Sequence, residues 1–367
     1  MMREGLRLNG ISERDVTIIP VGDEGGRLRN ESAVRKVRSD SGDMKHLWRL
    51  FECAMLGLPV LLVLGGDSDA AEMKKLTLGY STVGPAGTGL WMAKEIGAFE
   101  KYGINADLIF ISSGPVVVQA LIGGDLQGGL AATNAVIAAV LGGAPLVAVM
   151  SLVNRPYYRL WVQPEIARLE ELRGKTLGVS RFGSVTDNLT RILLRKKGLE
   201  GAVNVRQMGG TTEMAAAFQR RQIAGAVISA LRVDAPMRML VDLDEMDIQY
   251  SNVVIAVSRD FYRRSPEAVE AMVRAYIEGV AAAHDQKERA LKVIAKYTRL
   301  KDPKLIEELY KDADKFLERV PRVEPEAIAP IVEFMGKKPI PLETIADNSI
   351  IDRLVREGFI EKLYKKR

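Results

Sequence analysis

Two phrases constrain this chain more than any other feature. Leu78-Gly79-Tyr80-Ser81 and Leu177-Gly178-Val179-Ser180 are each a short apolar run that stops at a serine and then meets glycines. Such a run, bounded by small polar residues, reads as a buried strand. The text around each phrase alternates strand and helix. Strands are expected at 76–81, 106–111, 126–131 and 146–152, with helices at 89–102, 115–123 and 134–141 between them. A second round follows: strand 176–180, helix 184–197, strand 203–207, helix 211–221 and strand 224–229. Strand and helix in strict alternation specify an α/β fold with parallel sheets covered by helices. The repeat is one of architecture, so it implies two lobes rather than a solenoid.

After a further strand at 253–257 the pattern changes. Ser265-Pro266-Glu267 opens a helix with serine as cap and proline at the first position. Helices then continue at 304–318, 326–334 and 349–362. Two short crossings, near 160–163 and 249–252, suit one lobe inserted into another. The expected division is lobe 1 from 71–161 and 251–367, and lobe 2 from 162–250.

The first seventy residues stand apart. Lys45 and Arg49 precede a charge-free run from Cys53 to Gly66, and Ser68-Asp69-Ala70 supplies small residues for cleavage. This three-part order is that of a secretory signal over 44–70, with a short buried helix or a signal anchor as the alternative, and a periplasmic mature protein is the expectation. The charged stretch 1–43 upstream is either a disordered extension or a start-site error, with translation beginning at Met44. Cys53 is the chain's one cysteine, so no disulfide can form within it. Two histidines and one cysteine do not make a zinc site of the usual kind. The net charge of +5 is spread along the chain, so a nucleic-acid partner is not expected.

In open parallel sheets, ligands bind beyond the carboxyl ends of the strands. Residues of one type recur there. Ser81 and Thr82 follow the first strand, Ser112, Ser113 and Gly114 the second, and Thr133 and Asn134 the third. The second round offers Ser180, Gly183 and Ser184, then Thr211, then Ser229. Each alone is an ordinary helix cap, and Ser184 with Asp187 has the spacing of one. Taken together, they deliver hydroxyls and helix N-termini to one cleft, a setting for a small anion. Arg181 and Arg232 could grip a carboxylate or sulfonate, while Arg155 reads as solvated. Tyr80, Trp91, Tyr157, Tyr158 and Phe182 wall the cleft or fill the core. Gly174-Lys175-Thr176 lacks the upstream glycine of a phosphate loop and precedes a strand. His284 has no sequence partners for a catalytic triad. No catalytic residue, metal ligand or cofactor is expected.

The ordered phrases LTLGYS, IGAFEKYGINADLIFISSG, VQALIGGDLQGGLAATN, LEELRGKTLGVSRFGS, SNVVIAVSRDFYRRSPEAVEAMVRAYIEG and DNSIIDRLVREGFIEKLY cover roughly residues 74 to 364. In order and spacing they resemble the substrate-binding proteins of ABC importers for nitrate, taurine and aliphatic sulfonates. That group shares its fold with thiamine-pyrimidine-precursor binding proteins. The resemblance implies a two-lobed periplasmic-binding-protein fold of type II, with the lobes joined by two crossover strands. It implies a monomer that closes on a small molecule and delivers it to an ABC permease and its ATPase. Family contact positions match Ser81, Thr82, Ser113, Gly114, Thr133, Asn134 and Ser180 to Ser184. Two alternatives stand beside transport: a periplasmic ligand sensor, and an enzyme of the thiamine-pyrimidine-synthase type on the same fold.

Overall fold

In the computed structural model the described residues are Val16–Thr17, 73–229, 235–246 and 248–365. The leader at 44–70, nearly all of the stretch 1–43, and Arg232 lie outside them.

The chain forms strands β1 (Val16–Thr17), β2 (Lys74–Tyr80), β3 (Ile104–Ile111), β4 (Gly128–Ala132) and β5 (Leu146–Val153). Between them lie helices α1 (Pro85–Glu95), α2 (Ala98–Lys101), α3 (Gly114–Gly123) and α4 (Thr133–Leu141). A second group follows: β6 (Arg159–Val162), β7 (Thr176–Val179), α5 (Val185–Lys196), β8 (Asn204–Gln207), α6 (Thr211–Gln219), β9 (Gly225–Ile228) and β10 (Arg238–Asp242). Strand β11 (Val253–Ser258) is succeeded by helices only: α7 (Arg259–Arg264), α8 (Pro266–Asp285), α9 (Lys287–Thr298), α10 (Pro303–Phe316), α11 (Pro325–Phe334), α12 (Ser349–Arg356) and α13 (Phe359–Tyr364).

Two sheets result. The first is six-stranded in the order β1-β3-β2-β4-β11-β5, and the second five-stranded in the order β10-β6-β9-β7-β8. The expected α/β class and two-lobed architecture hold, but each sheet is mixed rather than wholly parallel. Strands β2, β3 and β4 are parallel neighbours, and β11 runs antiparallel between β4 and β5. In the second sheet β7, β8 and β9 are parallel, while β6 lies antiparallel to both β9 and β10. Apart from the two-residue edge strand β1, which is antiparallel to β3, the antiparallel members are the strands on which the chain enters one sheet or returns to the other.

Local chemistry explains most boundaries. The first helix starts at Pro85, earlier than the expected 89, because proline suits the first helical position. It stops before Gly97, whose φ of 72° breaks the 89–102 helix in two. Residues 160–163, expected as a crossing, largely form β6; the chain crosses just before them. The two crossings run side by side: the Tyr250 amide donates to the Asn154 carbonyl at 2.9 Å, and that of Asn252 to Val153 at 2.9 Å. Buried hydroxyls brace them. Ser251 Oγ lies 2.9 Å from both Thr133 Oγ1 and Ser151 Oγ, and Ser151 donates to Asn154 Oδ1 at 2.6 Å.

The C-terminal helices pack over the first sheet. Gly279 of α8 presses on α1, where an added Cβ would lie 2.2 Å from the Gly89 carbonyl oxygen. Trp91 is fully buried and stacks on Tyr297 of α9 at 5.2 Å between centroids. Tyr80 and Tyr157 are likewise buried, so these aromatic residues belong to the core.

Candidate functional site

Strands β2 and β3 end at Tyr80 and Ile111, and β7 and β9 at Val179 and Ile228. The residues just beyond these ends converge on one cleft of about 540 Å³, including its open mouth. The first sheet contributes Ser81, Thr82, Ser112, Ser113 and Gly114. The second contributes Ser180, Ser184, Thr211 and Ser229. The two LG-x-S phrases of the sequence therefore supply Ser81 and Ser180 to opposite walls. Among the described residues, no charged side chain lines this cleft.

The hydroxyls fall into two chemical classes. Ser184 caps α5 by accepting the Asp187 amide at 3.3 Å, and Thr186 Oγ1 holds the Ser180 amide at 2.9 Å. Thr186 also meets Ser180 Oγ at 3.1 Å and Ser184 Oγ at 2.8 Å. These hydroxyls are satisfied by the protein. Ser113 differs. It occupies the N-cap position of α3, yet its side chain caps nothing. The hydroxyls of Ser112 and Ser113 are buried with no hydrogen-bond partner, and Ser113 is 2% exposed. A buried hydroxyl without a partner is costly, by about 1–3 kcal/mol. Gly114 sets the approach of α3, because a Cβ there would lie 2.4 Å from that of Ala132.

Helices α3, α5 and α6 begin beside these residues, so their free amides and partial positive charge point at the same space. Tyr158 forms another part of the wall. Burial pushes the Tyr157 phenol up and the Tyr158 phenol well up, so both stay neutral. Tyr157 Oη reaches Thr82 Oγ1 at 3.4 Å, and Thr82 in turn accepts the Gly84 amide at 3.1 Å. The arrangement can hold an oxyanion by neutral donors.

Other expected residues sit elsewhere. Thr133 belongs to the hydroxyl chain at the crossings. Asn134 Nδ2 reaches across to the Gly183 carbonyl at 2.8 Å. Phe182 is 53% exposed beneath the Arg191 guanidinium. Neither Arg181 nor Arg155 is among the lining residues; Arg155 pairs with Asp244 at 3.5 Å and lies over Phe316. His284 is buried against Asp314 of α10, at 2.7 Å. Among the described residues, no group of three or more His, Cys, Asp or Glu could hold a metal.

Sequence reasoning missed Thr186 as a wall residue and left Tyr158 between wall and core. Thr186 is one of several buried polar residues in the first turns of α5, with Asp187, Asn188 and Thr190, so nothing local singled it out. Val83, Ala132, Val185, Ile228 and Val253 complete the lining. Small apolar residues at strand ends carry no local sign either.

A model of the family described as NMT1/THI5 like matches residues 85–290. A Brucella abortus protein named as a binding protein is 28% identical over 218 residues, which is 57% of this chain and 67% of the relative. The alkanesulfonate-binding protein SsuA from Xanthomonas axonopodis pv. citri, solved with MOPS, has a TM-score of 0.63 at 19% identity, covering 77% of this chain and 98% of that one. The periplasmic nitrate-binding protein NrtA from Synechocystis PCC 6803 has a TM-score of 0.63 at 12% identity, covering 80% and 92%. At these identities the structural likeness establishes the fold.

Proposed function

The chain belongs to the NMT1/THI5-like family, and from that premise we propose that it is a solute-binding protein of an ABC importer. It captures a small organic anion in the periplasm and presents it to a membrane permease. The lobes part at the two crossings, 154–158 and 249–252, and the ligand bridges the walls they carry. The anion is a sulfonate, a carboxylate or a nitrate-like ion.

The observation that carries this reading is the pair Ser112 and Ser113. Two buried hydroxyls face a cleft with no protein acceptor, next to the start of a ten-residue helix. An oxyanion satisfies both and complements the helix end. The ligand touches both walls, so it favours the closed arrangement by its difference in affinity for the two states. The relatives named for sulfonate and nitrate binding support the ligand class, and the SsuA structure holds a sulfonate buffer. The cleft binds and releases without chemistry.

A thermal-shift screen of the purified protein tests the reading. Short alkanesulfonates, nitrate and small carboxylates form one panel, with neutral heterocycles as the contrast. At a hundredfold excess over Kd, one anion raises stability by about 2.7 kcal/mol and lifts the melting point by several degrees. Anions that leave melting unmoved, while a neutral heterocycle shifts it, overturn the ligand class.

A further inference from the structure

Asn134 is the second residue of α4, at the carboxyl end of β4 in the first sheet. It is 2% exposed. Its side-chain amide spans the cleft to the opposite lobe, donating to the Gly183 carbonyl at 2.8 Å and the Ser184 carbonyl at 3.3 Å. The Ser184 carbonyl already accepts the Asn188 amide of α5 at 3.0 Å, so the Gly183 bond is the principal one.

The receiving loop is built to hold still. Gly183 has φ of 76°, and its amide is fixed by Asp187 Oδ2 at 2.9 Å. Asp187 Oδ1 is engaged by Arg191 Nε at 2.7 Å. The loop begins at Ser180 and ends at Ser184, two wall residues of the cleft. We propose that Asn134 is the closure clasp of this protein, a positioning residue that fastens the ligand-facing loop of one lobe to the other lobe without touching the ligand. The inference deepens the solute-binding reading and rests on it for its purpose, though the clasp itself needs no ligand to be tested.

A second contact across the cleft supplies the readout. A Cβ on Gly210 would lie 3.5 Å from that of Ser112, within the range of about 3.5–4.5 Å that a disulfide requires. Gly210 is extended, with φ of −162°, and the nearest other atom is the mobile end of Glu213. The full chain carrying Cys53→Ser, Ser112→Cys and Gly210→Cys therefore cross-links only when the lobes are closed. The rate of disulfide formation under a fixed glutathione buffer, with no ligand added, reports the closed population even when it is small.

Adding Asn134→Ala slows cross-linking about fivefold, the worth of one neutral hydrogen bond. Adding Asn134→Asp, which is nearly isosteric but turns a donor into a carboxylate facing carbonyl oxygens, slows it about tenfold or more. A residue that merely packs gives the reverse order, since Ala loses volume and Asp does not. Asp cross-linking as fast as Asn, or Ala slower than Asp, overturns the clasp. So does a failure of the Cys pair to cross-link with Asn134 in place. None of these outcomes depends on which anion, if any, the thermal-shift screen finds.

Discussion

At the scale of single residues, the unpartnered hydroxyl of Ser113 separates ligand binding from stability. Replacing it with alanine removes a group that makes no bond in the protein, so melting stays level or rises slightly. If the proposed function holds, the same change removes a charge-assisted hydrogen bond to the bound anion, worth about 1.5–3 kcal/mol, or roughly ten- to a hundredfold in Kd. Calorimetric titration of Ser113→Ala with the anion selected by the screen, beside its melting curve, checks both halves. A fall in melting point with unchanged affinity would return Ser113 to the ordinary caps. The wall hydroxyls were legible in the sequence because strand ends and helix starts are marked locally. The roles of Thr133 and Asn134 were not, since their partners Ser251 and Gly183 lie far along the chain. Only folding brings a donor on α4 to a carbonyl before α5.

Among the elements, the tightest fit is between α1 and α8. A methyl group on Gly279 would meet the Gly89 carbonyl oxygen at 2.2 Å and the Ala93 amide nitrogen at 2.6 Å, both backbone atoms that cannot swing aside. Gly279→Ala should cost about 1–3 kcal/mol and lower the melting point by about 3–8 °C. A melting curve that overlays the parent would mean the two helices part easily. The order of strands and helices was readable because apolar period distinguishes them. Strand β10 was not, for its residues Arg238 to Asp242 are only partly buried and carry charge. Nor was the place of β11 in the sheet, because an all-apolar strand suits either direction between two neighbours. The expected helix 349–362 divides at Gly358, with φ of 66°, into α12 and α13. A glycine inside an apolar period was the sign available for that break.

For the molecule as a whole, one ion cluster ties the lobes together on the side of the C-terminal helices. Arg159 of β6 donates to both oxygens of Asp312 on α10, at 2.9 and 3.0 Å, and to Asp242 at 3.1 Å. The paired carboxylates, foremost Asp312, hold the guanidinium above its ordinary range despite burial. Asp312→Asn leaves that cation half compensated and should cost about 3 kcal/mol. Urea unfolding would register it as an earlier midpoint with an unchanged slope, and an unshifted midpoint would mean the cluster is dispensable. The position of β11 has its own consequence, for the order in which a growing polypeptide can mature. Among the described residues, strand β5 finds its ladder partner only in β11, and its one other bridge joins Ala148 to Ala346. A ribosome must therefore finish the entire second sheet before the first can be sealed. Until then β5 is an orphaned hydrophobic segment, and pairings this distant in sequence form slowly. The emerging chain stays pliable until late in its synthesis.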